Sequence, residues 1–313
     1  MKVLLPDTIS LNLHLPEEFE PVVVDASEAI PPKHRDAEIL VAWGPSHEHL
    51  ASAAHDLTHL RLVQSLSSGV ETILNSGFSS EVAIANGAGL HDRTVAEHTL
   101  ALVLAQVRRL PEVLEHQHRH DWSRELGGIQ PLHTSDRVTT LLGARVVIWG
   151  FGSIGQTIAP LLSALGATVT GIARSAGERR GFPVIAASEV STELPRTDVL
   201  ISVLPSTDAT LGVIGNDVFD QLPERAIFAN VGRGDIVDQR ALSDALRTGA
   251  IASAAIDVTA PEPLPHDDPL WDAPNLIITP HAAGGRPVGA EALIERNLTA
   301  LSSNQHLENL VSR

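Results

Sequence analysis

The sequence of 313 residues contains neither cysteine nor tyrosine. Without cysteine the chain can form no disulfide, no thiolate zinc site and no cysteine nucleophile, and the cytoplasm is the default expectation for its location. Without tyrosine it cannot be one of the hydride-transfer enzymes that use a tyrosine phenol as the proton donor. Both absences narrow the range of chemistry open to the protein.

Basic residues and long apolar runs are also scarce. Lys and Arg number 22 against 38 Asp and Glu, a formal net charge of −16, and no Lys/Arg-rich run is there to neutralise a row of phosphates. No stretch approaches the roughly 18 uninterrupted apolar residues of a membrane span. Pro6 interrupts the short apolar run near the start, so a secretory signal is not expected. We therefore expect a soluble globular protein with neither nucleic acid nor membrane among its partners.

What the sequence does contain is a repeating pattern of short apolar, β-branched runs and helical stretches. The chain exceeds the roughly 100–200 residues of a usual single domain, so two domains are expected. Five apolar runs in its first part are typical of the strands of a parallel α/β sheet. These runs are residues 2–6, 21–25, 38–43, 60–66 and 82–86.

The second part of the chain begins with a long helical stretch. Residues 94–110 are apolar on more than one face, which predicts a buried helix that crosses between the domains. The α/β pattern then restarts at Arg145, and residues 285–301 predict a last helix that returns to the first domain. Further strands are expected at residues 146–149, 168–173, 198–204, 226–230, 253–258 and 276–279. The economical topology is therefore an inserted domain, with residues 1–95 and 286–313 in one body and residues 96–285 in the other.

The stretch VVIWGFGSIGQ contains a dinucleotide-binding fingerprint. Gly150, Gly152 and Gly155 form G-x-G-x-x-G between an apolar strand and an amphipathic helix, which is the context that the motif needs. The first glycine permits a tight turn, the second lets the backbone approach a pyrophosphate, and the third lets the helix pack on the strand. The N–H groups of Ser153 and Ile154 are expected to face the phosphates at the positive end of the helix. The fingerprint begins the second domain.

The residues that would bind the adenosine ribose depart from the usual NAD pattern. An Asp or Glu is expected roughly 20 residues after the fingerprint, but Ala173, Arg174 and Ser175 occupy this region. Loss of the carboxylate removes the repulsion against a 2′-phosphate, and Arg174 with Ser175, joined by Arg179 or Arg180, can bind that phosphate. NADP(H) is favoured, and NAD(H) bound with reduced ribose recognition is the alternative.

Three segments that follow strands each carry one reactive group. They are NVGRGDIVD with Arg233, DVTAPEPLP with Glu262, and TPHAAG with His281. With these segments, NGAGLHDRTVAEHTLAL, the fingerprint, SVLPSTDAT and DPLWDAPNLIITPHAAG, the sequence strongly resembles the D-isomer-specific 2-hydroxyacid dehydrogenases over nearly its whole length. The resemblance implies an α/β protein of two domains, a flavodoxin-like substrate domain and an inserted Rossmann domain that binds NAD(P), and a homodimer formed through the Rossmann domain.

The chemistry of this family explains why these three residue types are needed. Reduction of a 2-keto acid moves a hydride to the carbonyl carbon while the oxygen gains a proton, so an acid of near-neutral pKa must lie beside that oxygen. His281 fits this role, and Glu262 is the carboxylate that orients its imidazole and favours the protonated form. Arg233 supplies the planar fork that binds the substrate carboxylate through two parallel hydrogen bonds.

The resemblance also implies contacts outside this triad. In the first domain, the backbone N–H groups of Ser68, Gly69 and Val70 are expected to bind the substrate carboxylate. Arg233 and His281 are expected to line the cofactor site as well, with Asp257 beside the nicotinamide amide. The remaining implied cofactor contacts are Thr94, Leu204, Pro205, Val231, Gly232, Ala283 and Gly284.

Other functions remain open from the sequence. The fold also serves as a dinucleotide-gated corepressor, a binding module without catalysis, but such proteins carry long disordered tails and this chain ends soon after its last predicted helix. Phosphoglycerate dehydrogenases belong to the same superfamily, but a phosphorylated substrate calls for clustered cations, and the basic residues of the first domain are scattered. Glyoxylate, hydroxypyruvate or a related small 2-keto acid is favoured.

Two groups of histidines raise the question of a metal site. His55 and His59 are one helical turn apart, while His116, His118 and His120 alternate along the chain. Zinc needs at least three protein ligands that converge in a tetrahedral set. Neither group has a further partner at a diagnostic spacing, so we interpret both as solvated and expect no metal.

Overall fold

The computed structural model describes residues 1–312. The chain forms two compact units, the first made of Met1–His91 with the segment that begins at Arg286, and the second made of Asp92–Gly285. Within residues 1–312, no helix combines the length and the apolar character that crossing a bilayer requires.

The strands and helices are numbered in chain order. The strands are β1 (Lys2–Pro6), β2 (Glu20–Val24), β3 (Ile39–Ala42), β4 (Leu62–Ser65), β5 (Ala83–Ala85), β6 (Arg145–Trp149), β7 (Thr168–Ala173), β8 (Gly177–Arg179), β9 (Phe182–Ala186), β10 (Val199–Ser202), β11 (Ile227–Asn230), β12 (Ser253–Ile256) and β13 (Leu276–Ile278). The α-helices are α1 (His47–Asp56), α2 (Glu71–Leu74), α3 (Asp92–Val107), α4 (Leu110–His118), α5 (Ser153–Ala164), α6 (Asn216–Phe219), α7 (Gln239–Thr248) and α8 (Ala290–Ser302).

The first unit contains a five-stranded parallel sheet in the order β2-β1-β3-β4-β5. This is the flavodoxin-like order, in which the chain reverses direction beside its first strand. Alternate residues of a strand point to opposite faces, and in β1 Val3 and Leu5 contact one core while Leu4 contacts the other. Both faces of the sheet are therefore covered, as the continuous apolar runs in the sequence predict.

Helix α8 completes one of these two cores. Its side chains Leu293, Ile294 and Leu298 pack in the core that also contains Val3 and Leu5. A buried amide pair joins the helix to the sheet, because Asn297 Nδ2 donates to Gln64 Oε1 at 2.6 Å and both side chains are 1% exposed. Since an unpaired buried amide is costly, this pair fixes the position of α8 on the sheet.

The second unit contains an eight-stranded sheet in the order β13-β12-β11-β10-β6-β7-β9-β8. All neighbours are parallel except the hairpin of β8 and β9. The run β9-β7-β6-β10-β11-β12 is the Rossmann order 3-2-1-4-5-6, with β6 as its first strand. In β6, Val147 and Trp149 face one core, and Val146 and Ile148 face the other. The predicted fold class is thus confirmed.

Several predicted boundaries differ from the structure. The helix expected at residues 94–110 spans 92–107, and it ends there because Arg109 has a left-handed φ of 52° and Pro111 lies in the first turn of α4. The division predicted at residues 95 and 96 falls within α3, whereas the two units divide at residues 91 and 92. The hairpin of β8 and β9 has no counterpart among the predicted strands.

Candidate active site

The fingerprint turn follows β6, and the glycines at its two ends are required by close packing. Gly150 has φ +105°, and a Cβ there would lie 2.5 Å from the carbonyl oxygen of Val203 in the neighbouring loop. A Cβ at Gly155 would lie 2.6 Å from the carbonyl oxygen of Gly150. A side chain at Gly150 would push the turn away from the loop of Val203, and one at Gly155 would push the helix away from the strand. The turn is therefore held tightly against the edge of the sheet.

The middle of the turn is open. A Cβ at Gly152 would meet no atom within 4 Å, so space is left directly above the backbone. Helix α5 begins at Ser153, and Gly152 before it has no side chain to cap the first N–H groups. An uncapped helix N-terminus beside an open glycine backbone is suited to a pyrophosphate, because the N–H groups and the helix dipole both favour an anion. The residues present therefore fit a dinucleotide at this turn.

The segment after β7 holds the residues expected near the adenosine ribose. Ala173 ends β7, and Arg174 and Ser175 are exposed in the loop that follows. The guanidinium of Arg179, on β8, donates through Nη1 to the carbonyl oxygen of Phe151 at 2.9 Å and through Nη2 to Ser175 Oγ at 3.3 Å. Arg179 thus links the fingerprint turn to the loop of Arg174 and Ser175.

Arg233 lies in a turn that two glycines press against neighbouring loops. A Cβ at Gly232 would lie 2.5 Å from the carbonyl oxygen of Leu204, and one at Gly234 would lie 2.1 Å from the carbonyl group of Thr259. The side chain of Asn230, at the end of β11, accepts the N–H of Gly232 and donates to the carbonyl oxygen of Arg233 at 2.9 Å. The backbone that carries the Arg233 guanidinium is therefore fixed on both sides.

The structure brings His281 and Glu262 together. Nδ1 of His281 lies 2.8 Å from Oε2 of Glu262, while Oε1 accepts the backbone N–H of Thr259 at 3.0 Å. The His281 side chain remains 49% exposed, so its ring is accessible to a ligand. Since Nδ1 is engaged by the carboxylate, Nε2 is the nitrogen that can exchange a proton with a substrate.

Arg233, Glu262 and His281 follow β11, β12 and β13, which are adjacent in the sheet. Contacts connect the three loops. Gly234 packs on Thr259, and the N–H of Thr259 donates to the carboxylate of Glu262. The same carboxylate contacts the ring of His281. All three lie at the carboxyl ends of parallel strands, where open α/β sheets bind their ligands.

The turn of His281 is built around the carboxylate of Asp257, which is 1% exposed. One oxygen, Oδ1, accepts the N–H of Ala282 at 2.8 Å and the hydroxyl of Thr279 at 2.5 Å, and Oδ2 accepts the N–H of Ala283 at 3.0 Å. The carbonyl oxygen of Asp257 accepts the N–H of His281 at 2.7 Å. Asp257 was predicted as a nicotinamide contact, and in this structure its carboxylate binds the turn of His281.

The other expected cofactor contacts lie on the same unit. Thr94 is half-buried in the first turn of α3, and the turn after β10 carries buried Leu204 and exposed Pro205. Buried Val231 and Ala283 pack in one apolar cluster with residues of α3 and β12. In the first unit, Ser68 and Gly69 are half-buried in the loop between β4 and α2, and Val70 precedes α2.

Two polar contacts of this site were not predicted from the sequence. His98, on α3, places Nε2 at 3.0 Å from Thr279 Oγ1 and at 3.2 Å from Asp257 Oδ1. A second link joins Ser206 Oγ to Asp235 Oδ2 at 2.5 Å and ties the turn after β10 to the turn of Arg233. Both partners of His98 lie more than 150 positions further along the chain, so no local pattern could have indicated the contact.

No group of three His, Cys, Asp or Glu side chains in residues 1–312 is arranged to hold a metal ion. Of the histidines considered for a metal, His55 lies 2.8 Å from Asp56 through Nδ1, and His116 lies 2.7 Å from Asp121 through the same atom. These pairs explain the local placement of both rings.

Comparison with known proteins gives a consistent result. The family model for the D-isomer specific 2-hydroxyacid dehydrogenase, NAD binding domain, matches residues 100–283. A glyoxylate reductase/hydroxypyruvate reductase from Homo sapiens is 33% identical over 283 residues, which cover 88% of this chain and 78% of that protein.

Solved structures resemble both units of the chain. A D-isomer specific 2-hydroxyacid dehydrogenase family protein from Aeromonas salmonicida aligns with a TM-score of 0.84 and 29% identity, over 99% of this chain and 98% of that one. An NADPH-dependent glyoxylate/hydroxypyruvate reductase from Sinorhizobium meliloti, in complex with NADP and sulfate, aligns with a TM-score of 0.78 and 25% identity, over 99% and 98% of the two chains.

Proposed function

This chain belongs to the D-isomer-specific 2-hydroxyacid dehydrogenases, and we propose that it reduces a small, unphosphorylated 2-keto acid to the D-2-hydroxy acid with NADPH. It is an oxidoreductase with an NAD-binding domain. Glyoxylate and hydroxypyruvate are the proposed substrates, because relatives over most of the chain are named for them.

The observation that carries this proposal is the connected set of Arg233, Glu262 and His281. A guanidinium, an imidazole and its carboxylate partner lie on three adjacent loops at one sheet edge, and the loops contact one another through Thr259. The same edge carries the open glycine turn at Gly152. A keto acid needs this combination, a fork for its carboxylate and an oriented acid for its carbonyl oxygen.

Each residue of the site has a separate role in the proposed reaction. When bound, the dinucleotide supplies the hydride for the carbonyl carbon. His281 donates a proton from Nε2 to the carbonyl oxygen, and Glu262 holds the ring by Nδ1 and offsets the positive charge of its protonated form. Arg233 binds the substrate carboxylate through parallel hydrogen bonds. Backbone N–H groups of Ser68, Gly69 and Val70 are also proposed to bind that carboxylate.

NADPH is proposed over NADH because of the loop after β7. Ala173 leaves no carboxylate to repel a 2′-phosphate, and Arg174 and Ser175 are exposed there to bind it. Arg179 supports this loop through Ser175 and adds a second guanidinium. NADH is the alternative cofactor, and the same loop would then bind the ribose hydroxyls.

A homodimer formed through the second unit is also proposed. Helix α4 contains no buried residue, and its side chains Leu110, Val113 and Leu114 are 45%, 38% and 52% exposed. The following segment exposes three more large apolar side chains, Trp122, Ile129 and Leu132. Apolar surface concentrated in this way is typical of protein–protein contacts, and a second copy of the chain is the partner that the family suggests.

Steady-state kinetics with a panel of keto acids would test the proposed reaction. Glyoxylate, hydroxypyruvate and its 3-phosphate ester are each assayed with NADPH and with NADH, and the greatest kcat/KM is expected for an unphosphorylated acid with NADPH. Arg233→Ala should lose most of its kcat/KM, mainly because KM for the keto acid rises. The matched control is Arg240→Ala, since that side chain is 92% exposed on α7.

Binding of NADPH without turnover of any keto acid would contradict the proposed reaction and support a dinucleotide-sensing binding module. A preference for the phosphate ester would favour phosphoglycerate-type chemistry instead. Equal effects of Arg233→Ala and Arg240→Ala would contradict the role assigned to Arg233.

A further inference from the structure

His98 is a polar side chain on α3 that contacts the turn of the catalytic histidine but lies outside the catalytic set. Its ring is 22% exposed, and Nε2 lies 3.0 Å from Thr279 Oγ1 and 3.2 Å from Asp257 Oδ1. Most of the apolar side chains of α3 face the cores of the second unit. His98 is thus a polar contact between this buried helix and the loop after β13.

The direction of the hydrogen bonds follows from the hydroxyl of Thr279. This hydroxyl has one proton and lies 2.5 Å from the carboxylate oxygen of Asp257, which only accepts. Thr279 Oγ1 must therefore accept from His98, which places a proton on Nε2 of the imidazole. The result is a hydrogen-bond chain in which His98 donates to Thr279 and Thr279 donates to Asp257, while the same Nε2–H of His98 also lies 3.2 Å from Asp257 Oδ1. Linked hydrogen bonds of this kind polarise and strengthen one another.

The hydrogen-bond chain ends at the carboxylate of Asp257, which shapes the turn of His281. Asp257 is 1% exposed, and a buried carboxylate is stable only when it is paired or hydrogen-bonded. It accepts the N–H groups of Ala282 and Ala283 through its side chain, and the N–H of His281 through its backbone carbonyl. His281 has a left-handed φ of 51°. A non-glycine residue keeps this conformation only where its surroundings require it.

We propose that His98 is a positioning residue for the reaction, which holds the imidazole of His281 in its reactive orientation through Thr279 and Asp257. This inference rests on the proposed function for its kinetic consequence, but its structural part concerns the turn alone. His98 donates the hydrogen bond that locks Thr279 onto Asp257, and Asp257 then keeps residues 281–283 in place. Loss of the imidazole loosens the turn and misplaces the acid.

Two pairs of variants separate the hydrogen bond from simple packing. H98Q keeps an N–H donor close to the position of the imidazole Nε2, whereas H98L keeps a similar volume without a donor. T279S keeps the hydroxyl, and T279V replaces it with a methyl group. Each conservative variant is the matched control for its partner, and thermal unfolding confirms that all four are folded.

The first measurement is amide hydrogen exchange of the peptide that covers residues 279–284, in the protein without cofactor. H98L and T279V should increase exchange at Ala282 and Ala283 by about tenfold or more, while H98Q and T279S stay close to the parent protein. The second measurement is turnover of the preferred keto acid. The kcat of H98L should fall by roughly 10- to 100-fold with little change in KM, and H98Q should recover most of it.

A double variant tests the path through Thr279. If His98 acts through this hydroxyl, H98L and T279V combined should cost little more than either change alone, because both interrupt one chain. Full additivity, unchanged exchange in H98L, or failure of H98Q to recover kcat would each overturn the proposal. Absence of turnover in the parent protein would defeat the proposed reaction instead, and the exchange result would still decide whether His98 holds the turn.

Discussion

Nδ1 of His281 and Oε2 of Glu262 lie 2.8 Å apart, and the second oxygen of the same carboxylate accepts the backbone N–H of Thr259. The loop after β12 therefore holds Glu262 independently of the imidazole. Because Glu262 in turn holds the ring of His281, this proton donor loses little conformational entropy when the substrate binds. Both side chains are partly exposed, at 49% and 38%, so their pairing matters more for orientation than for stability.

Glu262→Gln should lower kcat by about 10- to 100-fold, because a neutral amide cannot offset the charge of the protonated imidazole. Steady-state kinetics of keto-acid reduction measure this fall in kcat. NADPH affinity, followed by fluorescence titration, should change little. An equal loss of affinity and turnover would show that Glu262 supports the fold of the site.

Gly234→Ala should destabilise the second unit by at least about 2 kcal/mol, since the new Cβ would lie 2.1 Å from the carbonyl group of Thr259. The matched control is Gly285→Ala, where the new Cβ would meet no atom within 4 Å. That change should stay within about 0.5 kcal/mol. Denaturant unfolding compares the two variants. Similar midpoints would mean that the Arg233 turn tolerates displacement from Thr259.

Ala173→Asp should shift cofactor preference toward NADH by about tenfold or more, because a carboxylate beside a 2′-phosphate is repulsive and one beside the ribose hydroxyls accepts their hydrogen bonds. The ratio of kcat/KM for NADPH to that for NADH is the quantity to measure. Arg174→Ala should lower this ratio by lowering kcat/KM for NADPH alone, because only NADPH carries the 2′-phosphate that Arg174 is proposed to bind. If neither substitution changes the ratio, the loop after β7 does not select the cofactor.

Leu114→Asp should weaken self-association by about tenfold or more, since it places a charge within an apolar contact. Leu211→Asp is the control, because Leu211 has a similar exposure, 54% against 52%, but lies outside α4 and the segment after it. Analytical ultracentrifugation over a range of concentrations gives the dissociation constant. A monomeric parent protein would contradict the proposed homodimer outright.

Glu308→Gln should lower the stability of the first unit slightly at neutral pH and by less in acid. The Arg296 guanidinium, which donates to both oxygens of Glu308 at 2.7 and 2.9 Å, lowers the pKa of that carboxyl. The pair therefore stabilises the folded state above about pH 4.3, where a free Glu is ionised, and this contribution disappears as the pH falls through the lowered pKa. Both side chains are about half exposed, so the effect should be about 0.5 kcal/mol.

Thermal unfolding of the Glu308→Gln variant and the parent protein, at neutral pH and near pH 3, checks this prediction. The difference in Tm should be present at the first pH, shrink with added salt, and be smaller at the second. A difference that is undiminished in acid would place its origin outside the ion pair.

The strand pattern of the sequence was sufficient to predict the first sheet and every strand of the second except β8 and β9. Most strands carry continuous apolar runs, such as those of β1 and β6, because parallel sheets are covered on both faces. The hairpin of β8 and β9 escaped prediction because Gly181 and Pro183 interrupt its pattern and only Val184 in it is buried. The hairpin forms because β9 pairs with β7, and this pairing cannot be inferred from the local sequence around β9.

For the candidate site, the residues that lie in motifs could be predicted from the sequence, but the long-range contacts between them could not. Segments such as NVGRGDIVD carry their reactive residue and its supporting glycines together, so a motif search finds both. The contact between His98 and Asp257 joins residues 159 positions apart through a helix and two strands. Only the folded arrangement of α3 on the sheet reveals it, because no local pattern connects the two residues.

The amide pair of Gln64 and Asn297 has a consequence for biosynthesis. Residues 92–285 are continuous, so the second unit can assemble as soon as its last strand leaves the ribosome. The first unit begins earlier but needs α8, with Leu293 and Leu298, to cover one face of its sheet. The first unit is therefore completed only after the second has been synthesised, and a chain stalled after residue 285 would leave Val3 and Leu5 less covered and Oε1 of Gln64 without its Asn297 partner.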